Sequence, residues 1–258
     1  LDKKNNLIPC LESYQGILYS SDFEKFKSHS RVPKMLEVTE FLLVELSKLF
    51  SEYKLSLHYS IKDLRAFQWH NYHEEGQKRI NIDLTYTCLL DLQKINNLDE
   101  LISQLRRVRR REYNKALKNE LIIEESDDIT ILDKLHEKMF HNQGIERSNY
   151  DVDCLKKISL TSIKKDFGKL YVCYTNQKVP CSAYLMLFDK NQAFSKYGAT
   201  DPNFKNIGAF TYLTIHCIQK SIEFGLKKWD FLGANSPTRG DYKISFNPEL
   251  VPFYQLSF

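Results

Sequence analysis

The stretch from Gln192 to Gly233 constrains the fold more than any other part of the sequence. It is typical of a strand, a loop of small and polar residues, an apolar helix and a short second strand, over residues 192–199, 201–209, 209–224 and 228–232. Apolar residues form two adjacent stripes along the helix, so we expect the helix to be largely buried. Gly225 is suited to end it. The rest of the chain should pack around this strand-helix-strand unit.

The loop that leads into this helix is a candidate anion site. The first N–H groups of a helix lack partners inside it, and the helix dipole adds partial positive charge there. Lys205 would add a full charge. The local sequence is neither a P-loop nor a Gly-x-Gly-x-x-Gly fingerprint, so the pattern alone favours an ordinary buried crossover.

Composition excludes several classes of protein. The 258 residues are 42% hydrophobic and 27% charged, and no apolar run approaches the ~20 residues that cross a bilayer. We expect a soluble chain with two halves. The first residues lack the apolar core of a secretory signal, which favours a cytoplasmic protein. A net charge of +4 does not by itself require a nucleic-acid partner.

The cysteines and histidines point away from metal and thiol chemistry. Six cysteines occur without a Cys-x-x-Cys pair, which favours reduced thiols in the core. His70 and His73 are the only close histidine pair with helical spacing, and no third ligand is in view. We expect neither a metal site nor a catalytic cysteine.

The first third of the chain predicts a small layer of helix and strand. A packing helix is expected over 36–50 after Pro33, and strands over 55–60 and 79–84 should pair antiparallel. Between these strands, residues 61–73 crowd charged, aromatic and amide groups together. Either Phe67 and Trp69 fill a core beside a surface ion pair, or the segment is a polar, aromatic wall that receives a substrate ring with hydroxyls.

Five arginines lie within six residues, 106–111, on a predicted helix that Asn97 or Asp99 would cap. Such a cluster could contact RNA or nucleotide phosphates. The nearby Glu112 and Glu120 and the lack of other basic clusters instead favour a solvated helix face, or a single phosphate contact.

The remaining elements give the order β-α-α-β-β-β-α-β and then an irregular tail. After a strand at 121–125 and two helices at 127–142 and 151–167, short turns join three strands into an antiparallel meander, over residues 169–174, 181–188 and 192–199.

This order resembles the GNAT acyltransferase superfamily, in which acyl-CoA inserts beside a splayed sheet. Three motifs are similar to its Fem-type branch: Arg-Arg-Arg-Glu-Tyr-Asn-Lys-Ala at 109–116, Trp-Asp-Phe-Leu-Gly at 229–233 and Tyr-Lys-Ile-Ser-Phe-Asn at 242–247. Asn247 stands where the branch has glycine, and asparagine tolerates positive φ well enough to keep the turn. The loop at 205–209 lacks the phosphate signature of typical GNAT enzymes.

Motifs near the N-terminus, at 9–17, 63–72 and 82–84, resemble GNAT-like proteins of bacterial surface-polysaccharide pathways, including lipopolysaccharide O-antigen synthesis. Members of that group acylate amines of nucleotide-linked amino sugars. The resemblance implies an α/β (α+β) fold with a largely antiparallel splayed sheet. It also implies an N-terminal part, 1–96, that contributes to acceptor binding and a GNAT-like domain over 97–258.

The implied function is direct transfer of an acyl group from acyl-CoA to a sugar amine, without a metal. The alternative is a Fem-type transferase that uses aminoacyl-tRNA. Such enzymes usually carry two full GNAT-like domains and a long helical arm, for which this chain has no room. A non-catalytic binding domain is the third alternative, and it would leave the acyl-donor loop without a role.

The resemblance also implies roles for individual residues. Asp201 would accept the amine proton, with Asp63 or a water chain as competitors. Tyr242, where the branch usually has Phe, would stabilise the leaving thiolate or would instead be a core aromatic. Backbone N–H groups of the splayed strand would hold the oxyanion. The acyl-CoA residues are Tyr197, Gly198, Ala199, Lys205, Asn206, Ile207, Gly208, Ala209, Phe210 and Asn235. The acceptor residues are Asp63, Arg65, Trp69, Tyr72, Gln143, Lys196 and Lys243.

Overall fold

The structure is a computed structural model that describes residues 14–258. The helices are α1 (Ser28–Leu49), α2 (Arg65–Trp69), α3 (Leu98–Gln104), α4 (Arg107–Lys118), α5 (Ile129–Asn142), α6 (Asn149–Lys164), α7 (Ala209–Glu223) and α8 (Pro237–Ile244). The strands are β1 (Lys54–Ser56), β2 (Asn81–Asp91), β3 (Ile122–Glu125), β4 (Gly168–Tyr174), β5 (Pro180–Phe188), β6 (Gln192–Thr200), β7 (Lys228–Asp230) and β8 (Glu249–Ser257). Within the described range, no helix is both long and apolar enough to span a membrane.

The strands form one mixed sheet in the order β1-β8-β2-β7-β6-β5-β4-β3. Strands β3 to β6 make the predicted antiparallel meander, and β6 and β7 are parallel, as the strand-helix-strand unit requires. The expected α/β fold class, a mixed and largely antiparallel sheet flanked by helices, is confirmed. The described residues form two compact units, one of residues 14–86 with 251–258 and one of residues 87–250.

The second unit has a core on each face of its sheet. Tyr184 and Met186 of β5 point to the face that carries α4 and α7, while Ala183 and Leu185 point to the face that carries α5 and α6. This alternation follows from the two-residue period of a strand. Because β5 is buried on both faces, its residues are apolar at nearly every position.

Several local predictions are confirmed. Gly225 has a φ of 73° directly after α7, and its N–H donates to the carbonyl of Ile222. Asn97 caps α3 by accepting from the N–H of Glu100. Asn247 has a φ of 61°, so asparagine does keep the turn where the Fem-type branch has glycine.

Other predictions are wrong. Helix α1 begins at Ser28 rather than 36, so Pro33 lies inside the helix and not before it. The predicted helix after Asn97 is two helices, because the extended backbone of Leu105 ends α3. Strand β2 continues to Asp91 and pairs with β7, whereas β1 pairs with β8. The strands at 55–60 and 79–84 therefore do not form the expected antiparallel pair.

The predicted irregular tail is ordered. It contains α8, which Ser236 caps and Pro237 begins, and the nine-residue strand β8. A serine followed by proline is a recognised start signal for a helix. The start of α8 could therefore have been predicted from the sequence.

Candidate active site

The candidate site is the open edge of β6. This strand pairs with β7 only over Gln192–Phe194, whereas its other edge stays paired with β5 as far as Thr200. The register with β5 shifts where Leu185 opposes Tyr197 and Met186 opposes Ser195, so Lys196 is the extra residue of a bulge. Beyond Phe194 this edge of β6 does not pair with β7, and N–H groups along an open strand edge can hold a carbonyl oxygen.

On one face of this edge, the ring of Phe210 lies directly against Gly198. A Cβ at Gly198 would come within 2.6 Å of the Phe210 ring. Phe210 also stacks on Tyr184, with ring centroids 5.3 Å apart, and lies 5.4 Å from the ring of Tyr242. The absence of a side chain at position 198 therefore brings α7 close to the strand.

The start of α7 is packed against α4. Gly208 precedes the helix with a φ of 85°, and a Cβ there would overlap the backbone carbonyl of Glu112. The Glu112 carboxylate accepts from the Thr211 hydroxyl at 2.5 Å and from Nη1 of Arg109 at 2.6 Å. A carboxylate of the chain itself thus already sits beside the first turn of α7, where a pyrophosphate was expected.

The loop before α7 has an outward side. Lys205 and Asn206 are exposed, while Gly208 and Ala209 are buried. Ile207 is half-buried and lines a groove of about 360 Å³ between α4 and the β4–β5 turn.

Asp201, the expected base, is buried and holds the turn after β6. It accepts from the backbone N–H of Asn203 and pairs with Lys138 at 2.8 Å. Burial opposes its ionisation, but the Lys138 ammonium and the Asn203 N–H outweigh burial and lower its pKa. A lower pKa makes this carboxylate a weaker base.

Tyr242, the expected proton donor, lies on α8 with its hydroxyl 3.0 Å from that of Thr214. The Arg109 guanidinium lies over its ring, 4.6 Å from the centroid. Burial raises the pKa of Tyr242 to about 12, so the phenol stays protonated.

The loop after β7 is built on Asp230, which sequence reasoning took only as part of a motif. Its buried carboxylate accepts from the Thr87 hydroxyl at 2.5 Å and the Leu232 N–H at 2.8 Å. Leu232 has a φ of 54°, and Lys243 donates to its carbonyl and to that of Gly233. Burial lowers the pKa of Lys243 to about 8. Asn235 is exposed two residues further along this loop.

On the opposite face of the sheet, α5 brings His136 over β6, a placement that sequence reasoning missed. Its ring makes an edge contact with that of Tyr197, with centroids 6.2 Å apart. Nδ1 of His136 lies 3.3 Å from Nη1 of Arg147, which pairs with Asp133 at 2.7 Å. The available signal was the i, i+3 spacing of Asp133 and His136 on one helix face.

Two expected acceptor residues lie on this same face of the second unit. The ammonium of Lys196 lies 5.5 Å from the centroid of the Tyr197 ring. Gln143 is exposed at the end of α5.

Four of the expected acceptor residues, at positions 63, 65, 69 and 72, lie in the first unit. Asp63 and Arg65 form the predicted surface ion pair at 2.6 Å, and Phe67 is buried. Trp69 is 49% exposed and Tyr72 is 55% exposed, so the alternative in which Trp69 fills a core is wrong. The Arg65 guanidinium lies 5.6 Å from the Trp69 ring centroid. Asp63 also lines a groove of about 540 Å³ within this unit.

The arginine cluster divides between two faces of α4. Arg109 faces Thr211, and Arg106 pairs with Asp241 at 2.6 Å. The outer cations are exposed and make no ion pair with a described residue; they are Arg107, Arg110, Arg111, Lys115 and Lys118. The predicted solvated helix face therefore holds for the outer cations, whereas Arg109 is turned inward.

The described cysteines are buried free thiols, namely Cys88, Cys154, Cys173, Cys181 and Cys217. Cys10 lies outside the described residues. Among residues 14–258, no cluster of histidine, cysteine and acidic side chains could hold a metal ion.

Residues 103–243 match the family described as "Acetyltransferase (GNAT) domain". FemX is similar in structure, with a TM-score of 0.63, 12% identity and coverage of 88% of this chain and 77% of that one. L-PGS from Bacillus licheniformis has a TM-score of 0.57, 11% identity and coverage of 85% and 71%. The glucosamine N-acetyltransferase region of a fungal multi-domain GH3 β-N-acetylglucosaminidase has a TM-score of 0.51, 10% identity and coverage of 80% and 25%. Identities this low show a common fold alone. The curated proteins contain no match to this sequence.

Proposed function

The chain belongs to the GNAT acetyltransferase family, and we propose that it transfers an acyl group to an amine at the open edge of β6, with an aminoacyl-tRNA as the donor. FemX shares the fold, and the motifs at 109–116, 229–233 and 242–247 resemble the Fem-type branch. The two faces of α4 support the choice of aminoacyl-tRNA as the donor.

The proposed reaction needs no covalent enzyme intermediate. The neutral amine attacks the ester carbonyl, a C–N bond forms, and the C–O bond to the ribose breaks with its electron pair leaving on oxygen. The ammonium proton passes, directly or through water, to that oxygen. Backbone N–H groups on the edge of β6 that extends beyond its pairing with β7 would hold the carbonyl oxygen as it becomes negative. Proximity alone can lower such a barrier by several kcal/mol.

The observation that carries the donor assignment is the row of unpaired cations on the outer face of α4. Arg107, Arg111, Lys115 and Lys118 follow one another at helical spacing, and Arg110 lies beside them. Cations that no protein carboxylate neutralises are the electrostatic footprint of a polyanion such as RNA.

The inner face of α4 supports the same assignment. Glu112 places a negative charge at the first turn of α7, against Thr211 and Arg109. A second anion at this turn would compete with that carboxylate for Arg109. The helix start is thus less suited to a CoA pyrophosphate than its sequence suggested.

The test is transfer from two donors to an amine acceptor, aminoacyl-tRNA and acetyl-CoA, with product detected by mass. The variant Arg107→Glu/Arg110→Glu/Arg111→Glu should raise KM for aminoacyl-tRNA at least tenfold. It should also reduce the salt dependence of binding, with a slope about one smaller for each phosphate that the variant no longer neutralises.

The matched control is Lys157→Glu/Lys164→Glu/Lys165→Glu, which makes the same charge change at exposed lysines around α6. It should change KM less than threefold. Equal effects of the two triple variants, or turnover with acetyl-CoA alone, would contradict the aminoacyl-tRNA assignment.

The second candidate is transfer from acyl-CoA to the amine of a nucleotide-linked amino sugar. One observation favours it: Trp69 and Tyr72 are large exposed rings, each with an arginine guanidinium over its face. Exposed aromatic faces with directional donors suit a sugar nucleotide. Trp69→Ala should then raise KM for the amino sugar while the melting temperature stays within a few degrees of the wild type.

A further inference from the structure

Three side chains on the α5 face of β6 form a connected polar group. Arg147, whose side chain is only 9% exposed, donates to Asp133 at 2.7 Å and approaches Nδ1 of His136 at 3.3 Å. Lys156 of α6 also pairs with Asp133, at 3.3 Å. The Asp133 carboxylate thus holds the Arg147 guanidinium in place beside the imidazole.

This contact fixes the protonation of the ring. A guanidinium has only N–H donors and does not lose a proton in proteins, so the nitrogen that faces it must accept. Nδ1 of His136 is therefore the nitrogen without a proton. In a neutral imidazole the single proton must then be on Nε2.

The surroundings keep the ring neutral. Burial first, and then the charges of Arg147 and of Arg239 on α8, lower the pKa of His136 to about 4 against the opposing Asp133 and Asp151. The ring also packs edge-on to Tyr197 of β6, whose neighbour in the bulge is Lys196. Guanidinium groups thus face this imidazole from α8 and from the loop before α6, and carboxylates face it from α5 and α6.

Nε2 of His136 has no hydrogen-bond partner within residues 14–258. The ring is half-buried, so part of it is exposed. The His136 ring lies over β6, on the face of the sheet opposite Phe210. We propose that the Nε2–H of His136 donates to an anionic oxygen, carboxylate or phosphate, of the amine-bearing substrate. The identity of this ligand rests on the proposed function, whereas the assignment of the tautomer does not.

One mechanistic consequence follows. With its Nδ1 lone pair engaged by Arg147 and its Nε2 protonated, His136 has no free lone pair, so it binds substrate and is not a general base. Its removal should change KM for the acceptor more than kcat. The pH profile of kcat should be unchanged.

The first experiment observes the tautomer directly, without any reaction. Long-range ¹H–¹⁵N correlation spectra of the full chain labelled in its histidines should show His136 as the Nε2–H tautomer, constant from pH 5 to 8. His136→Gln identifies the resonance, and His141→Gln, at an exposed histidine of the same helix, is the control. A titration near pH 6.5, or a proton on Nδ1, would overturn the proposal.

The second experiment adds three primary amines in turn: O-phosphoethanolamine, β-alanine and ethanolamine. A shift of the Nε2 resonance with the first alone assigns a phosphate, and a shift with the second alone assigns a carboxylate. A shift with both supports the shared chemistry. If all three shift it equally, or none does, the proposed contact is wrong even where the tautomer is as expected.

The third experiment separates contact from scaffold in the active enzyme. His136→Gln retains an N–H donor near the Nε2 position and should keep KM for the acceptor within about threefold. His136→Leu should raise it about tenfold or more, as expected when a hydrogen bond to a charged group is removed. Loss of kcat in His136→Gln with a changed pH profile would instead identify a base and refute the proposal.

Discussion

The backbone carbonyl of Glu112 on α4 lies where a side chain of Gly208 would begin, so the two segments can meet only at glycine. Gly208 also has a φ of 85°, which costs other residues about 1–2 kcal/mol. Gly208→Ala should therefore lower the free energy of unfolding by both the conformational cost and an overpacking cost of about 1–3 kcal/mol. Urea denaturation measures the change.

The control for this prediction is Gly225→Ala. Gly225 has a similar φ of 73°, but no atom lies within 4 Å of the position its Cβ would take. Gly225→Ala should lower the free energy of unfolding by the conformational cost alone. If the two variants are equally stable, the contact between α4 and the start of α7 is not a close one.

Asp201→Asn should affect stability more than turnover. The folded pKa of Asp201 is lowered, so its ion pair stabilises the fold above the ordinary value of 3.8, and this stability is lost as pH falls through the folded pKa. The variant should be less stable than the wild type at pH 7, and the difference should shrink in acid. Because an ion-paired carboxylate is a poor base, kcat should fall less than tenfold.

Lys138→Met removes the partner of Asp201 and provides the comparison. It should lower stability in the same pH range while leaving the pH profile of kcat unchanged. A kcat loss of a thousandfold in Asp201→Asn, with Lys138→Met unaffected, would restore Asp201 as the general base.

Lys243 should make stability rise with pH on the alkaline side. Burial lowers its pKa from 10.5 to about 8. Between about pH 8 and 10.5 the unfolded chain binds more protons at this position than the folded chain, so the free energy of unfolding increases with pH. Lys243→Met should lack this increase. Lys190→Met, at an exposed lysine, is the control. A constant difference between wild type and Lys243→Met across this range would contradict the prediction.

Intact-mass measurement after incubation with donor alone should find no acyl-enzyme. Burial raises the pKa of the Cys88 thiol to about 11 and that of Cys217 well above its ordinary value. Both are fully buried, and a thiolate is the form that attacks a carbonyl. A mass increase on any single cysteine would reverse this conclusion.

Sequence reasoning succeeded where short-range signals decide the structure. The meander and α7 follow from apolar periodicity and glycine punctuation, and both lie close to their predicted bounds. Strand β2 was cut short because its partner β7 lies 137 to 141 residues further along the chain, as the pairs Leu89–Asp230 and Asp91–Lys228 show. No local pattern encodes such a pairing.

The site was harder to predict for the same reason. The oxyanion site was expected at residues 197–199; the pairing of β6 with β7 ends before them, at Phe194, and their role stays a prediction. The His136–Arg147 contact joins two residues that are unremarkable in sequence, and only the turn between α5 and α6 brings them together. Arg109 belonged to a charged run, and its inward direction depends on Glu112 and Thr211.

Helix α4 has 12 residues, which makes it about 18 Å long and about 10 Å across with its side chains. Its outer cations and its inner contact with Thr211 lie on opposite sides of that cylinder. A molecule bound along the outer side cannot deliver a reactive group to the inner side in a straight line. Its reactive end must be long and pliable enough to bend around the helix, which excludes compact donors from using both surfaces at once.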